Sequence, residues 1–139
     1  MNSALDGLRR DFAAAVSEVD DPVAAVREAL LRWYAPLDDP ASAANNHAQL
    51  AADLGDPLLR AMMGDFYALM EAGLVPLIER AAGQLPKAPP PPVAARILTA
   101  LVDGTAVHWS ARPAGSLLDR LRTDLDAVLA AWKDWKDPS

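Results

Sequence analysis

The chain has 139 residues, enough for one domain with a real core, and at 52% hydrophobic and 23% charged its composition is globular rather than disordered. A net charge of −6, with basic residues scattered in no cluster larger than Arg9–Arg10, excludes the positive footprint needed to grip a phosphate backbone. The absence of cysteine excludes a disulfide framework, a thiolate zinc site and a Cys nucleophile together.

The first ten residues carry Asp6 before any apolar run develops, so they do not read as a signal peptide. No stretch approaches the roughly twenty apolar residues of a membrane span. The expectation is a cytoplasmic protein that does not enter a membrane and, by this chain alone, does not bind nucleic acid.

Alanine and leucine dominate and β-branched residues are sparse, which favours helix because Ala and Leu lose little side-chain entropy there. Asp-Pro recurs at Asp21-Pro22, Asp39-Pro40 and Asp56-Pro57, each time ahead of an Ala/Leu-rich run. Asp caps the free N–H groups of a first turn, and Pro is preorganised for the first helical position. These three dipeptides predict three helix starts. The fourth, Asp137-Pro138, stands near the end of the sequence and starts nothing.

In chain order, a first helix over 4–19 presents Leu5, Leu8, Phe12, Ala15, Val16 and Val19 at helical spacing. A second over 22–34 buries Val23, Val26, Leu30 and Trp33, and Pro36 stops it. A third over 40–54 carries Asn45, Asn46 and His47 and closes at Gly55. The longest, over 57–82, contains Gly73 and Pro76, where a kink rather than a break is expected.

Residues 85–92 read LPKAPPPP. This is an extended polyproline connector, and a ligand for an SH3-like domain is the functional alternative. Two more helices follow, over 93–111 and 116–135, joined by the turn Arg112-Pro-Ala-Gly115. Ser116 is the cap of the last and Asp119 stands at the capping-box position. That helix places Leu118, Leu121, Leu125, Val128, Trp132 and Trp135 at spacings of three and four, widened by Leu117 and Leu129. A face so broad must pack against something. The fold class is therefore all-α, a single domain over 1–139 with about six helices and no sheet.

Catalytic constellations are missing. No HExxH or Glu-x-x-His spacing, nucleophile elbow or Gly-rich phosphate loop occurs, so neither an enzyme nor a cofactor is expected. His47 with Asn45, Asn46 and Asp53 reads as a solvated polar face rather than a cation site. The aromatic and methionine set is more suggestive: Trp33, Tyr34, Met62, Met63, Phe66, Tyr67 and Met70 fall on two helices expected to be neighbours. Such residues make either plain core or the adaptable wall of a small-molecule pocket.

The segments AARILTALVDGTAVHW and SARPAGSLLDRLRTDLDAVLAAW, with the central Asp103-Gly104, resemble the C-terminal helix pair of TetR-family transcriptional regulators. The Asp56-Pro57 start of a long helix and the Asp20-Asp21-Pro22 hinge are similar to that family in order. The resemblance implies a TetR C-terminal-domain-like bundle that senses a small molecule and homodimerises, its last two helices forming a four-helix interface with a partner. It implies an apolar or aromatic effector lined by Trp33, Tyr34, Met62, Phe66, Met70 and Trp109, with Tyr67 or His108 supplying orientation; His108 is otherwise a packed interface residue. It implies pairing through Ile97, Leu101, Thr105, Leu118, Leu121, Leu125, Val128 and Trp132. Family members begin with a three-helix DNA-binding unit, and none precedes residue 4 here, so the sensing and pairing roles carry over and operator reading does not. The alternative is a helical dimeric scaffold or protein-interaction module with no ligand.

Overall fold

The computed structural model describes residues 2–133, and the side chains of all of these except 2–5, 8, 9, 11 and 16. Among the described residues there are six α-helices and no strand: α1 Asn2–Glu18, α2 Pro22–Tyr34, α3 Pro40–Leu54, α4 Pro57–Ala81, α5 Pro91–Ala111 and α6 Leu117–Trp132. Short 3-10 turns, Ala35–Leu37 and Ala82–Gln84, follow α2 and α4. Trp135, and the side chains of Leu5, Leu8 and Val16 expected on the buried face of α1, lie outside what is described.

The Asp-Pro reading holds atom by atom. Asp21 Oδ2 accepts from the Ala24 N–H at 2.8 Å, Asp39 Oδ2 from Ser42 at 3.0 Å, and Asp56 Oδ1 from both Leu58 and Leu59 at 2.9 and 3.2 Å. Each bond satisfies a donor that has no partner inside the helix, and caps of this kind stabilise by about 1 kcal/mol. Ser116 caps α6 through the Asp119 N–H at 3.1 Å, while the Asp119 carboxylate pairs with Arg122 at 3.3 Å. A second carboxylate, Asp38, takes the Leu117 N–H at 2.8 Å and ties the α2–α3 link to the start of α6.

The proline run departs from expectation. Pro91 and Pro92 are the first turn of α5, with Pro90 as its N-cap. The opening residues of a helix have no acceptor for an N–H, so proline sacrifices nothing there. Only the residues up to Pro90 connect, and they are docked: Leu85 is buried and the Lys87 N–H donates to the Trp132 carbonyl at 3.1 Å.

α2, α4 and α5 form the middle of the bundle. α1 packs on α2 and α4, α6 on α2 and α5, and α3 on α4 and α5. Leu30, Met70, Leu74, Leu98 and Val102 are fully buried together with Leu117, Leu121, Leu125 and Leu129. The last four repeat every fourth residue and form the inner row of α6. Leu121 and Leu125 are thus core of their own chain, correcting their expected place in a partner interface; the broad α6 stripe is used mainly within the protomer.

α4 runs unbroken through Pro76. Gly73 has a packing reason: a Cβ there would lie 2.6 Å from two ring carbons of Phe12, so glycine lets α1 lay its buried phenyl ring against the α4 backbone. By length and composition the helical run Pro57–Gln84, whose most apolar stretch has a mean hydropathy of 1.3, is also long and apolar enough to cross a membrane, contrary to the sequence expectation that no stretch approaches one. Its apolarity has a different account here: its C-terminal half is core, and its N-terminal half walls a cavity.

Candidate functional site

The core is well filled around the second half of α4, where Met70, Leu74, Leu77, Ile78 and Ala81 are all buried. The first half is not. Leu58 is 71% exposed, and Leu59, Met62, Met63 and Phe66 are exposed or half-buried. Between this half of α4 and its neighbours lies a groove of about 550 Å³, within the size range of small-molecule sites.

α4 contributes Leu59, Met62, Met63, Phe66, Tyr67 and Met70 to the groove; α2 and its following turn contribute Arg32, Trp33, Tyr34, Pro36 and Leu37. α3 adds Asn46, Leu50 and Asp53, α5 adds Asp103, and α1 adds Gly7. Tyr34 and Met70, nearly inaccessible, belong to its floor, while Trp33, Met62, Phe66 and Tyr67 are half-buried walls. The Trp33 and Phe66 rings lie 5.3 Å apart between centroids and tilted by 36°, and Tyr67 meets Phe66 edge-on at 6.1 Å. Methionines that re-pack and aromatics with a defined geometry together suit an adaptable apolar ligand.

Few polar groups interrupt this surface. Arg32 Nη2 is held by Glu18 Oε2 at 2.8 Å, and Asp53 Oδ1 accepts from Gln49 Nε2 at 2.8 Å. Burial raises the Tyr67 phenol pKa, keeping it a neutral donor. Burial also pushes Asp103 up from 3.8 to about 6.

Of the eight residues expected to bind ligand, six meet at the groove: Trp33, Tyr34, Met62, Phe66, Tyr67 and Met70. Trp109 and His108 are not brought there. Trp109 is buried at the far end of α5, its Nε1–H donating to the Gly115 carbonyl at 3.3 Å, which pins the α5–α6 turn around the positive φ of Gly115. His108 is exposed, on the rim of a second concavity of about 440 Å³ between α5 and α6 with Leu101, Gly104, Thr105, Arg120 and Asp124. A helical step of 100° per residue turns 108 and 109 away from the face that carries Asp103.

Sequence reasoning missed the groove's polar groups. Asn46 and Asp53 read as part of a solvated face, and Asp103 as a family mark. The available signal was that Asp103 lies in mid-helix with Thr99, Ala100, Ala106 and Val107 at three and four residues' distance, so no helical neighbour can neutralise it.

Among the expected pairing residues, Ile97 is 40% exposed and Leu101 half-buried on the outer face of α5. Leu118, Val128 and Trp132 are half-buried at the edges of α6. Thr105 is buried, and its hydroxyl donates to Asp124 Oδ2 at 2.8 Å. Among the described residues no three His, Cys, Asp or Glu side chains gather as a metal site. His47 is held as a neutral ring by burial, its Nε2 without a hydrogen-bond partner.

The sequence profile described as the C-terminal domain of BetI-type transcriptional repressors matches residues 22–132. Neither a curated protein nor a solved structure is detectably similar to the chain.

Proposed function

The chain belongs to the family of BetI-type, TetR-like transcriptional repressor C-terminal domains, and from that premise we propose that it is a cytoplasmic sensing domain whose groove takes a small apolar or aromatic effector. The observation that carries the reading is the groove itself, about 550 Å³ walled by Trp33, Met62, Phe66 and Tyr67. A dimeric scaffold without a ligand would call for a filled interior at this place.

The structure of α4 supplies a mechanism. Its C-terminal half is locked in the core by Leu74, Leu77 and Ile78, while its N-terminal half rests against the groove. An effector contacts the loosely packed half and α3, so it favours whichever arrangement of these helices encloses it. Regulation then follows as a population shift set by the effector's differential affinity for two arrangements.

Homodimerisation is proposed through the outer face of α5, centred on Ile97 and Leu101 and flanked by Leu118, Val128 and Trp132 at its margin. A stable pair of this kind buries on the order of 1,500 Å². Operator reading is not assigned to these residues, whose net charge is −6. The role is regulatory rather than catalytic, with neither cofactor nor membrane taking part.

The test is thermal stabilisation by a neutral aromatic probe, 4-phenylbutan-1-ol, in the wild type and in Phe66→Ala. Saturable stabilisation that Phe66→Ala weakens supports the reading. No stabilisation at millimolar probe would end it.

A further inference from the structure

We infer that the effector carries a protonated amine on its apolar or aromatic body, and that the Asp103 carboxylate is the group that receives that charge. The inference deepens the sensing role above and rests on it.

Asp103 has no structural task that explains it. It sits in the middle of α5, away from the helix start where a carboxylate would cap free N–H groups or meet the positive end of the dipole. Its neighbours one turn away, Thr99, Ala100, Ala106 and Val107, include no cation, and the Thr99 hydroxyl is committed to the Ala95 carbonyl at 2.8 Å. Among the described residues it has neither a hydrogen bond nor an ion pair.

Among the described residues that line the groove, none offers it a free positive charge. The lining cation is Arg32, already paired with Glu18, and the other acid is Asp53 on α3, tied to Gln49. With Tyr67 neutral, the described lining residues are negative on balance. A half-buried carboxylate without a partner is costly unless a cation from outside neutralises it.

The aromatic wall fits the same visitor. Trp33, Phe66 and Tyr67 line the groove, and aromatic rings attract a cation, the more so when water is displaced. With a pKa of about 6, Asp103 is chiefly ionised at neutral pH and available for a charge-assisted bond. A ligand bearing a carboxylate meets two acids and is disfavoured.

The experiment uses one body with three head groups: 4-phenylbutylamine, 4-phenylbutan-1-ol and 4-phenylbutanoate, titrated calorimetrically into the full chain near neutral pH. The amine is expected to bind about tenfold more tightly than the alcohol, which corresponds to one charge-assisted contact of about 1.4 kcal/mol, and the carboxylate weakest. Asp103→Asn should bring the amine to near the alcohol measured in the same variant, and a circular dichroism spectrum and urea midpoint no lower than the wild type's show that the variant is folded. Equal binding of amine and alcohol, or an amine preference that survives Asp103→Asn, overturns the charge assignment and leaves the sensing role standing. Binding of none of the three at millimolar concentration overturns both.

Discussion

Removing the Asp103 charge should stabilise the protein, and do so only where the group would have been ionised. Burial raises its pKa from 3.8 to about 6, which amounts to roughly 3 kcal/mol of unfavourable desolvation. The groove is open to solvent on one side, and screening there reduces this to about 1–2 kcal/mol. The sign follows from proton binding. Because the folded pKa lies above the unfolded one, the folded state holds more protons between about pH 4 and pH 6, and the penalty fades as pH falls through that window. Asp103→Asn should therefore exceed the wild type by about 1–2 kcal/mol near pH 7.5, a rise of roughly 3–8 °C in Tm for a domain of this size. The difference should shrink to half or less by about pH 4.5. Paired urea denaturation of the two proteins across this range, followed by circular dichroism, measures it, since every other carboxylate is common to both. A variant less stable than wild type at pH 7.5, or a difference independent of pH, would refute the reasoning by showing that Asp103 has a native partner.

Phe66→Ala should cost about 1–2 kcal/mol in chemical denaturation, below the 3–5 kcal/mol of a fully buried phenylalanine, because Phe66 is half-buried on the groove wall. Gly73→Ala should destabilise by about 1–3 kcal/mol despite alanine's better helix propensity, since the methyl group would meet the Phe12 ring; Phe12→Leu in that background should recover part of the loss. Asp56→Ala removes the acceptor for two backbone N–H groups and should cost about 1 kcal/mol by the same measurement. Ile97→Asp should give a folded monomer in sedimentation, whereas Leu125→Asp, which buries a charge in the protomer's own core, should unfold the chain.

The helix starts were legible because their chemistry is local. An Asp side chain and a Pro ring act on the turn directly after them, and Asp21, Asp39 and Asp56 behave accordingly. The groove's aromatic wall was legible for a related reason: Trp33 and Tyr34 end one helix while Met62, Phe66 and Tyr67 share a face of another, so packing the two helices brings them together. What failed depends on the third dimension. A stripe at spacings of three and four says that a helix is covered, not by what, so Leu121 and Leu125 were assigned to a partner when α2 and α5 already cover them. Gly73 looked like a helix weakness until Phe12, sixty-one residues earlier in the sequence, was found against it. Asp103 read only as part of the Asp-Gly that marks the family resemblance, and only the surrounding helices show how far it is desolvated. His108 and Trp109, adjacent in sequence, differ in surroundings, the first exposed and the second buried.

The most direct test of the effector groove reads the four tryptophans separately, through their indole N–H resonances during titration with 4-phenylbutylamine. Trp33 lines the groove, whereas the Trp109 indole is buried and bonded to Gly115 away from it. Binding in the groove predicts a saturable shift of the Trp33 resonance with Trp109 essentially unmoved, and loss of the Trp33 response in Phe66→Ala. A silent Trp33 at saturating ligand, or small shifts spread evenly over all four indoles, would contradict the account.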